Sequence, residues 1–197
     1  MSRGFSEQEK KEIKFKLISA FETALKTQTI HKISIDDLIY EAGISKGSFY
    51  SFYETKELLF VDVVHHVQNR MKENLYVIIQ TEKEEPKKAL KNMIKSMYEH
   101  LLLNPWILKL TSVENERTMR RLPIEVRNNL IEQDSYDIEE MLNHLGIESS
   151  IPVNEISSAL RTLLFSIPNK ELIGPDFEKG IMLLIDGFID RVVGDNN

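Results

Sequence analysis

The chain has no cysteine among its 197 residues. That excludes disulfides, thiol nucleophiles and zinc sites built on sulfur, and it is compatible with a reducing cytosol. It also lacks a long apolar run: the N-terminal stretch MSRGFSEQEKKEIKFKL alternates charge with hydrophobe. Neither a signal peptide nor a membrane span is therefore expected, and the expected location is the cytoplasm. No strand-like alternation, no internal repeat and no glycine-rich phosphate loop is present. Paired carboxylates and His–carboxylate spacings are missing too. A helical enzyme using His100 or His144 with Glu99, Glu139 or Glu140 is thus a remote alternative, and the expectation is a non-enzyme without a cofactor. His65, His66, His100 and His144 are scattered. His65 and His66 diverge on a helix with no carboxylate at i+4, so no metal site is expected.

What is present is enough apolar material for a real core, 42% of the chain, and an uneven charge. The formal net charge is −6, yet residues 1–60 carry nine basic and nine acidic residues and the remainder carries 16 and 22. The first 32 residues hold seven Lys or Arg against four Asp or Glu. A local basic surplus matters more for a polyanionic partner than the total does. Arg3, Lys10, Lys11, Lys14 and Lys16 are its candidates, although each singly also fits a solvated helix face.

Periodicity predicts helices throughout, about nine of them. Ser6 and Glu9 form a capping box ahead of the stripe Ile13, Leu17, Ile18, Phe21, Ala24 and Leu25. Thr55 caps a long helix whose apolar residues Phe60, Val64, Val67, Met71, Leu75 and Ile78 step by three or four. Running to about Gln80, it spans roughly 40 Å. Pro86, Pro105, Pro123, Pro152 and Pro175 each stand ahead of an apolar periodic run, where a missing amide costs nothing. Pro168 closes the helix begun near Pro152.

The most informative stretch runs from Ser34 to Leu59, SIDDLIYEAGISKGSFYSFYETKELL. Ser34 caps a short helix, with Asp37 placed to return a bond to the capping residue's amide. Ile35, Leu38, Ile39 and Ala42 make its buried stripe. Gly43 supplies the left-handed residue that ends it, and Ile44 plugs the corner. Ser45 caps a second helix from Lys46 to Tyr53, with Phe49 and either Phe52 or Tyr53 turned inward. Lys46, Gly47, Ser48, Tyr50 and Ser51 are left exposed. Two short helices about a glycine turn, the second presenting a lysine, hydroxyls and a small residue, are the layout of a helix-turn-helix DNA reader.

The wording AGISKGSFYSFYETKELL resembles the TetR family of bacterial transcriptional repressors, whose pattern is A-G-V-S-x-G-x-x-Y-x-x-F-x-x-K-E-x-L. Ala42, Gly43, Ser45, Gly47, Tyr50, Lys56, Glu57 and Leu59 match it, and Ile44 is a conservative replacement. The resemblance implies an all-α chain with a helix-turn-helix DNA-binding domain over residues 1–54. A helical ligand-binding and dimerisation domain would follow over 55–197, with 55–80 as connecting helix. It further implies phosphate contacts by Tyr50 and Lys56, groove-facing positions for Lys46, Ser48 and Phe52, and a helix-starting cap for Ser34. Two letters depart from the pattern. Phe52 stands where Tyr or His is frequent, and Tyr53 stands where a buried Phe is usual, so its hydroxyl needs a partner.

The middle of the chain supplies Met71, Tyr76, Met93, Met97, Tyr98, Leu101, Trp106, Leu110 and Met141, an adaptable lining for a greasy ligand. Each of these also fits an ordinary core. Near the end, Ile156, Leu160, Leu163, Leu164 and Ile167 form one stripe and Phe177, Ile181, Leu184, Ile185, Phe188 and Val192 another. Both are wider than a one-sided helix needs. Gly180 and Gly187 allow a neighbour close. The resemblance implies that the last two helices pair with their copies. The expected function is a ligand-responsive regulator, a repressor that binds a palindromic operator as a homodimer and is released by a small hydrophobic inducer. The alternative is a constitutive DNA-binding or protein-interaction module without a pocket.

Overall fold

Local capping chemistry sets the helix starts. In a computed structural model of the chain, which describes residues 5–108, 116, 120–126 and 138–194, Ser6 accepts the Glu9 amide while the Glu9 carboxylate takes the Ser6 amide at 2.7 Å. This reciprocal pair opens helix α1, Glu7–Leu25. Ser34 accepts the Asp37 amide at 3.0 Å and opens α2, Ile35–Ala42. The Asp37 carboxylate differs from expectation, because it takes the Ser34 hydroxyl proton at 2.6 Å. Ser45 accepts the Ser48 amide at 3.1 Å and opens α3, Lys46–Phe52. Thr55 does the same for Leu58 at 3.2 Å ahead of α4, Lys56–Thr81.

The chain divides into two compact units. The first comprises Met1–Arg70 with Leu110–Leu122. Its core is built from the inner stripes of α1 to α4: Ile13, Leu17, Phe21 and Leu25, then Leu38 and Ala42, then Phe49, then Leu59, Phe60 and Val63. Phe21 and Phe60 meet edge-on at 5.9 Å between ring centres. Burying each large side chain contributes about 1.5–3 kcal/mol, and that outweighs the modest helix propensity of so aromatic a segment. At the rim Arg70 reaches the Glu22 carboxylate with both guanidinium ends, at 2.6 and 3.2 Å. This bidentate geometry holds α4 to α1.

The second unit comprises Met71–Lys109 with Pro123–Asn197. It holds the end of α4, then α5 (Pro86–Leu103) and the short α6 (Pro105–Leu108). Helical residues 138–144 follow. Next come α7 (Val153–Phe165), a 3-10 turn at Ile167–Asn169, α8 (Lys170–Ile173) and α9 (Phe177–Val193). Pro86 stands at the first position of α5 and Pro152 caps α7. Pro168 lies in the 3-10 turn that ends the α7 run, where its missing amide and fixed φ stop an α-helix. Leu75, Leu90, Ile94, Leu160, Ile181 and Ile185 lie at the centre of one continuous core. Buried Ser157 gives its hydroxyl proton to the Val153 carbonyl at 2.8 Å, so it enters that core satisfied.

The fold is all-helical, and no strand occurs among the described residues. Arg3 and Leu110, two of the residues singled out from sequence, lie outside the described residues.

Candidate nucleic-acid interface

The turn between α2 and α3 depends on one backbone conformation. Gly43 has φ +68°, the left-handed region that side chains with a Cβ adopt at a cost. It lets the Gly43 amide reach the Tyr40 carbonyl at 3.2 Å and the Ile44 amide reach that of Ile39 at 3.1 Å. This pair of bonds closes the helix end and redirects the chain into α3. Phe49, fully buried, and Tyr53, 5% exposed, are then driven inward. Lys46, Gly47, Tyr50 and Ser51 are exposed and Ser48 half-exposed.

Each of those side chains has a defined local setting. Lys46 Nζ lies 2.9 Å from Asp36 Oδ1 across the turn, and this carboxylate holds the ammonium above its ordinary pKa. The pair is solvent-exposed on both sides, so it is weak and exchangeable. Ser48 and Ser45 share a hydroxyl contact of 2.9 Å, and Ser51 donates to the Ser48 carbonyl at 2.6 Å. A Cβ at Gly47 would meet nothing nearer than Ser45 Oγ at 3.9 Å, an ordinary contact, so internal packing does not require the glycine. Tyr50, half-exposed, stands edge-on to Phe49 at 5.4 Å. Phe52 is half-buried, its ring 5.9 Å from Phe5.

Two residues are built more deeply into the unit than sequence suggests. Tyr53 donates its hydroxyl to Asp62 Oδ2 at 2.7 Å, which answers the need for a partner. Burial first, and that bond second, push its pKa far above the tyrosine range. Lys14 lies over the same ring at 5.5 Å. Lys56 donates to the Ile30 carbonyl at 2.8 Å and the Ile33 carbonyl at 2.7 Å, clamping the loop that leads into α2. Partial burial holds its pKa below the ordinary lysine value. Two of its three N–H donors are thereby engaged inside the protein.

Other features had no sequence signal, or one that went unread. Tyr40 on α2 is 84% exposed, an aromatic on a helix otherwise read only for its buried stripe. Arg121 pairs with Glu57 at 3.0 Å across 64 residues of sequence, and Leu122 beside it is buried. Nothing local to either segment announces that contact. An open groove of about 320 Å3 lies between the start of α1 and the α2–α3 turn. Phe5, Ile13, Ala42 and Ile44 line it together with Glu9, Glu12 and Lys16, and the two carboxylates leave it unsuited to a phosphate. Among the described residues no three His, Asp or Glu side chains gather as metal ligands. No helix among them is long and apolar enough to cross a membrane.

In the second unit, Met93, Tyr98 and Leu101 are buried in one core, against which Met71, Met97 and Met141 pack, and Trp106 is buried as well. The stripes expected to pair two copies fall differently. Ile156, Leu160, Leu164, Phe177 and Ile181 are buried within their own unit, and Leu163 and Phe188 pack against that core. Of the residues named for pairing, Leu184 alone is exposed, at 61%. Val77, Leu103, Ile124, Phe165, Leu172, Ile173 and Leu183 are also exposed among the described residues of this unit. A Cβ at Gly180 or Gly187 would meet nothing within 4 Å, so this face of α9 is open along its length.

No family model and no curated protein sequence matches the chain. Solved structures do. A TetR-family regulator from Syntrophomonas wolfei aligns over 94% of this chain and 97% of its own, with a TM-score of 0.63 and 15% identity. The TetR transcriptional regulator SCO0520 from Streptomyces coelicolor covers 92% and 99%, with a TM-score of 0.59 and 15% identity. A transcriptional regulator, FadR, from Bacillus subtilis, in complex with stearoyl-CoA, covers 93% and 99%, with a TM-score of 0.56 and 14% identity. These neighbours are transcriptional regulators, and they match over nearly the whole chain. The chain has the fold of the TetR-family transcriptional regulators.

Proposed function

We propose that the chain is a ligand-responsive transcriptional regulator: a repressor that binds a palindromic operator as a homodimer and is released by a small hydrophobic effector. Residues 1–54 form the DNA-reading domain and 55–197 the sensing and pairing domain, with 55–80 as connecting helix. The observation that carries this reading is the surface of α3. Phe49 and Tyr53 are buried, while Lys46, Gly47, Ser48, Tyr50 and Ser51 face outward. A recognition helix reads base edges with such exposed residues and fixes its register on phosphates. Lys46 and Ser48 set base preference, Phe52 touches a thymine methyl where the groove brings one close, and Tyr50 holds phosphate. Ser34 and Ser45 cap the two helices, and the remaining N–H of Lys56 reaches the backbone.

Two recognition helices meet successive major grooves about 34 Å apart only in a twofold dimer. The open face of α9, with Leu183 and Leu184 between Gly180 and Gly187, supports pairing there. The effector site falls in the second unit among Met93, Met97, Tyr98, Leu101 and Trp106. Methionine and aromatic side chains there adapt to an apolar guest, and the Bacillus subtilis neighbour carries an acyl-CoA. An effector that binds one arrangement of the dimer more tightly releases DNA by shifting the population.

A gel shift on DNA flanking the chain's own gene tests the reading. A retarded band is expected at low salt, weakening steeply as salt rises because each lysine–phosphate contact releases a counterion. No band at low salt would overturn it.

A further inference from the structure

The first turn of α2 carries two adjacent acids that the fold uses differently. The Asp37 carboxylate takes the Ser34 hydroxyl proton at 2.6 Å and belongs to the cap. The Asp36 carboxylate turns across to α3 instead, where its Oδ1 lies 2.9 Å from Nζ of Lys46, the first residue of that helix. Both side chains stay open to solvent, 70% exposed for Asp36 and 55% for Lys46. A carboxylate therefore stands at hydrogen-bond distance from the leading cation of the helix proposed to read DNA. On a surface meant for a polyanion, that is an unfavourable place for a negative charge. The pair has no net charge, so Lys46 beside its acid adds little attraction for phosphates.

What the pair does offer is a donor and an acceptor held side by side. A G·C base pair shows the complement in the major groove: guanine O6 and N7 accept, and the cytosine N4 amino group donates. Guanine O6 and cytosine N4, hydrogen-bonded to each other, lie about 2.9 Å apart. The Lys46 ammonium can donate to the guanine while Asp36 accepts from the cytosine, so each charge keeps its neighbour and gains a base. An A·T pair offers the ammonium no two neighbouring acceptors, and its thymine sets a methyl group beside O4. We propose that Asp36 is a specificity-determining residue, and that with Lys46 it reads one G·C pair in each half of the operator. This inference rests on the DNA-binding reading above and adds to it a base-reading residue from α2. A phosphate has nothing to donate to Asp36, so the same carboxylate disfavours binding wherever that base pair is absent.

The full-length protein is used to select binding sites from a library of DNA palindromes with randomised half-sites. The wild-type consensus should hold a G·C pair whose replacement by A·T in one half-site weakens binding about tenfold, the scale of one bidentate base contact. Asp36→Ala should cut that penalty to about threefold or less and bind unrelated DNA more tightly, since a like charge has left the interface. Lys46→Ala should lose discrimination at the same base pair but bind unrelated DNA more weakly. Asp36→Asn, which keeps an acceptor without the charge, should fall between wild type and Asp36→Ala. Helix content by circular dichroism should match wild type in all three variants. A merely structural role for Asp36 would not give opposite signs on unrelated DNA together with loss at one shared base pair. A consensus in which no G·C pair depends on Asp36 would overturn the proposal and leave the DNA-binding reading standing. So would losses at different base pairs in Asp36→Ala and Lys46→Ala, or weaker binding of unrelated DNA by folded Asp36→Ala. Failure of wild type to bind any of the library at low salt would overturn the DNA-binding reading, and this inference with it.

Discussion

Single residues decide how firmly the first unit is built. Tyr53 replaces a bare phenyl ring with a phenol, and the hydroxyl finds Asp62 at 2.7 Å in a largely buried setting. Tyr53→Phe keeps the packing but leaves that carboxylate without its donor, which should cost about 1–3 kcal/mol of stability at neutral pH. The pH dependence has a definite sign. The folded-state pKa lies far above the ordinary 10.0, so the unfolded chain loses this proton first. The stabilisation is fully present below pH 10.0 and is lost as pH rises above it. Urea midpoints should therefore fall more steeply above that pH in wild type than in Tyr53→Phe. Parallel curves for the two proteins would show that the phenol does not carry this linkage.

At the scale of elements, α3 and the root of α4 play different parts although both carry lysines. Lys46 sits on the open face of α3 in an exchangeable surface pair with Asp36. Lys56 opens α4 and holds the carbonyls of Ile30 and Ile33, which fixes the entry into α2. Lys46→Ala and Ser48→Ala should thus leave the melting temperature nearly unchanged and alter which operator sequences are preferred, by about 1 kcal/mol or more per affected base. Lys56→Ala should lower stability by about 1–3 kcal/mol, since two charge-assisted bonds disappear, and should weaken binding to all sequences alike. Melting curves beside competition gel shifts on randomised operators separate the two patterns. Identical patterns for all three variants would refute this division of roles. Much of the element layout was legible in advance. Ser6, Ser34, Ser45 and Thr55 cap, Gly43 turns, and prolines open or close the later helices, because each of these devices acts within a few residues of itself.

For the whole molecule the question is pairing, and most of the residues named for it also serve the protomer's own core. Helices α7 and α9 are apolar on more than one side, and periodicity alone does not say which side faces the protomer's own core. The structure buries Ile156, Leu160, Leu164, Phe177 and Ile181 inside, and leaves Leu183 and Leu184 out at 74% and 61% exposure. In the proposed dimer this second face of α9 is the one that pairs. Leu183→Asp with Leu184→Asp should shift the protein to a monomer by light scattering and sharply weaken binding to a full palindrome. Helix content should stay intact, since neither side chain supports the fold. A double variant that remains dimeric would place the interface elsewhere.

The sequence by itself determined the all-helical architecture, the helix-turn-helix and the identity of its exposed letters. These rest on caps, a left-handed glycine and apolar spacing, which are interactions among near neighbours along the chain. Only the tertiary structure decided what the ambiguous residues do. It gave Tyr53 its carboxylate and turned Lys56 into a clamp on a loop more than 20 residues upstream. It brought Arg121 to Glu57 and left Tyr98 and Trp106 as buried donors. Those outcomes depend on which distant groups a folded core brings within 3 Å, and no pattern local to either partner encodes that.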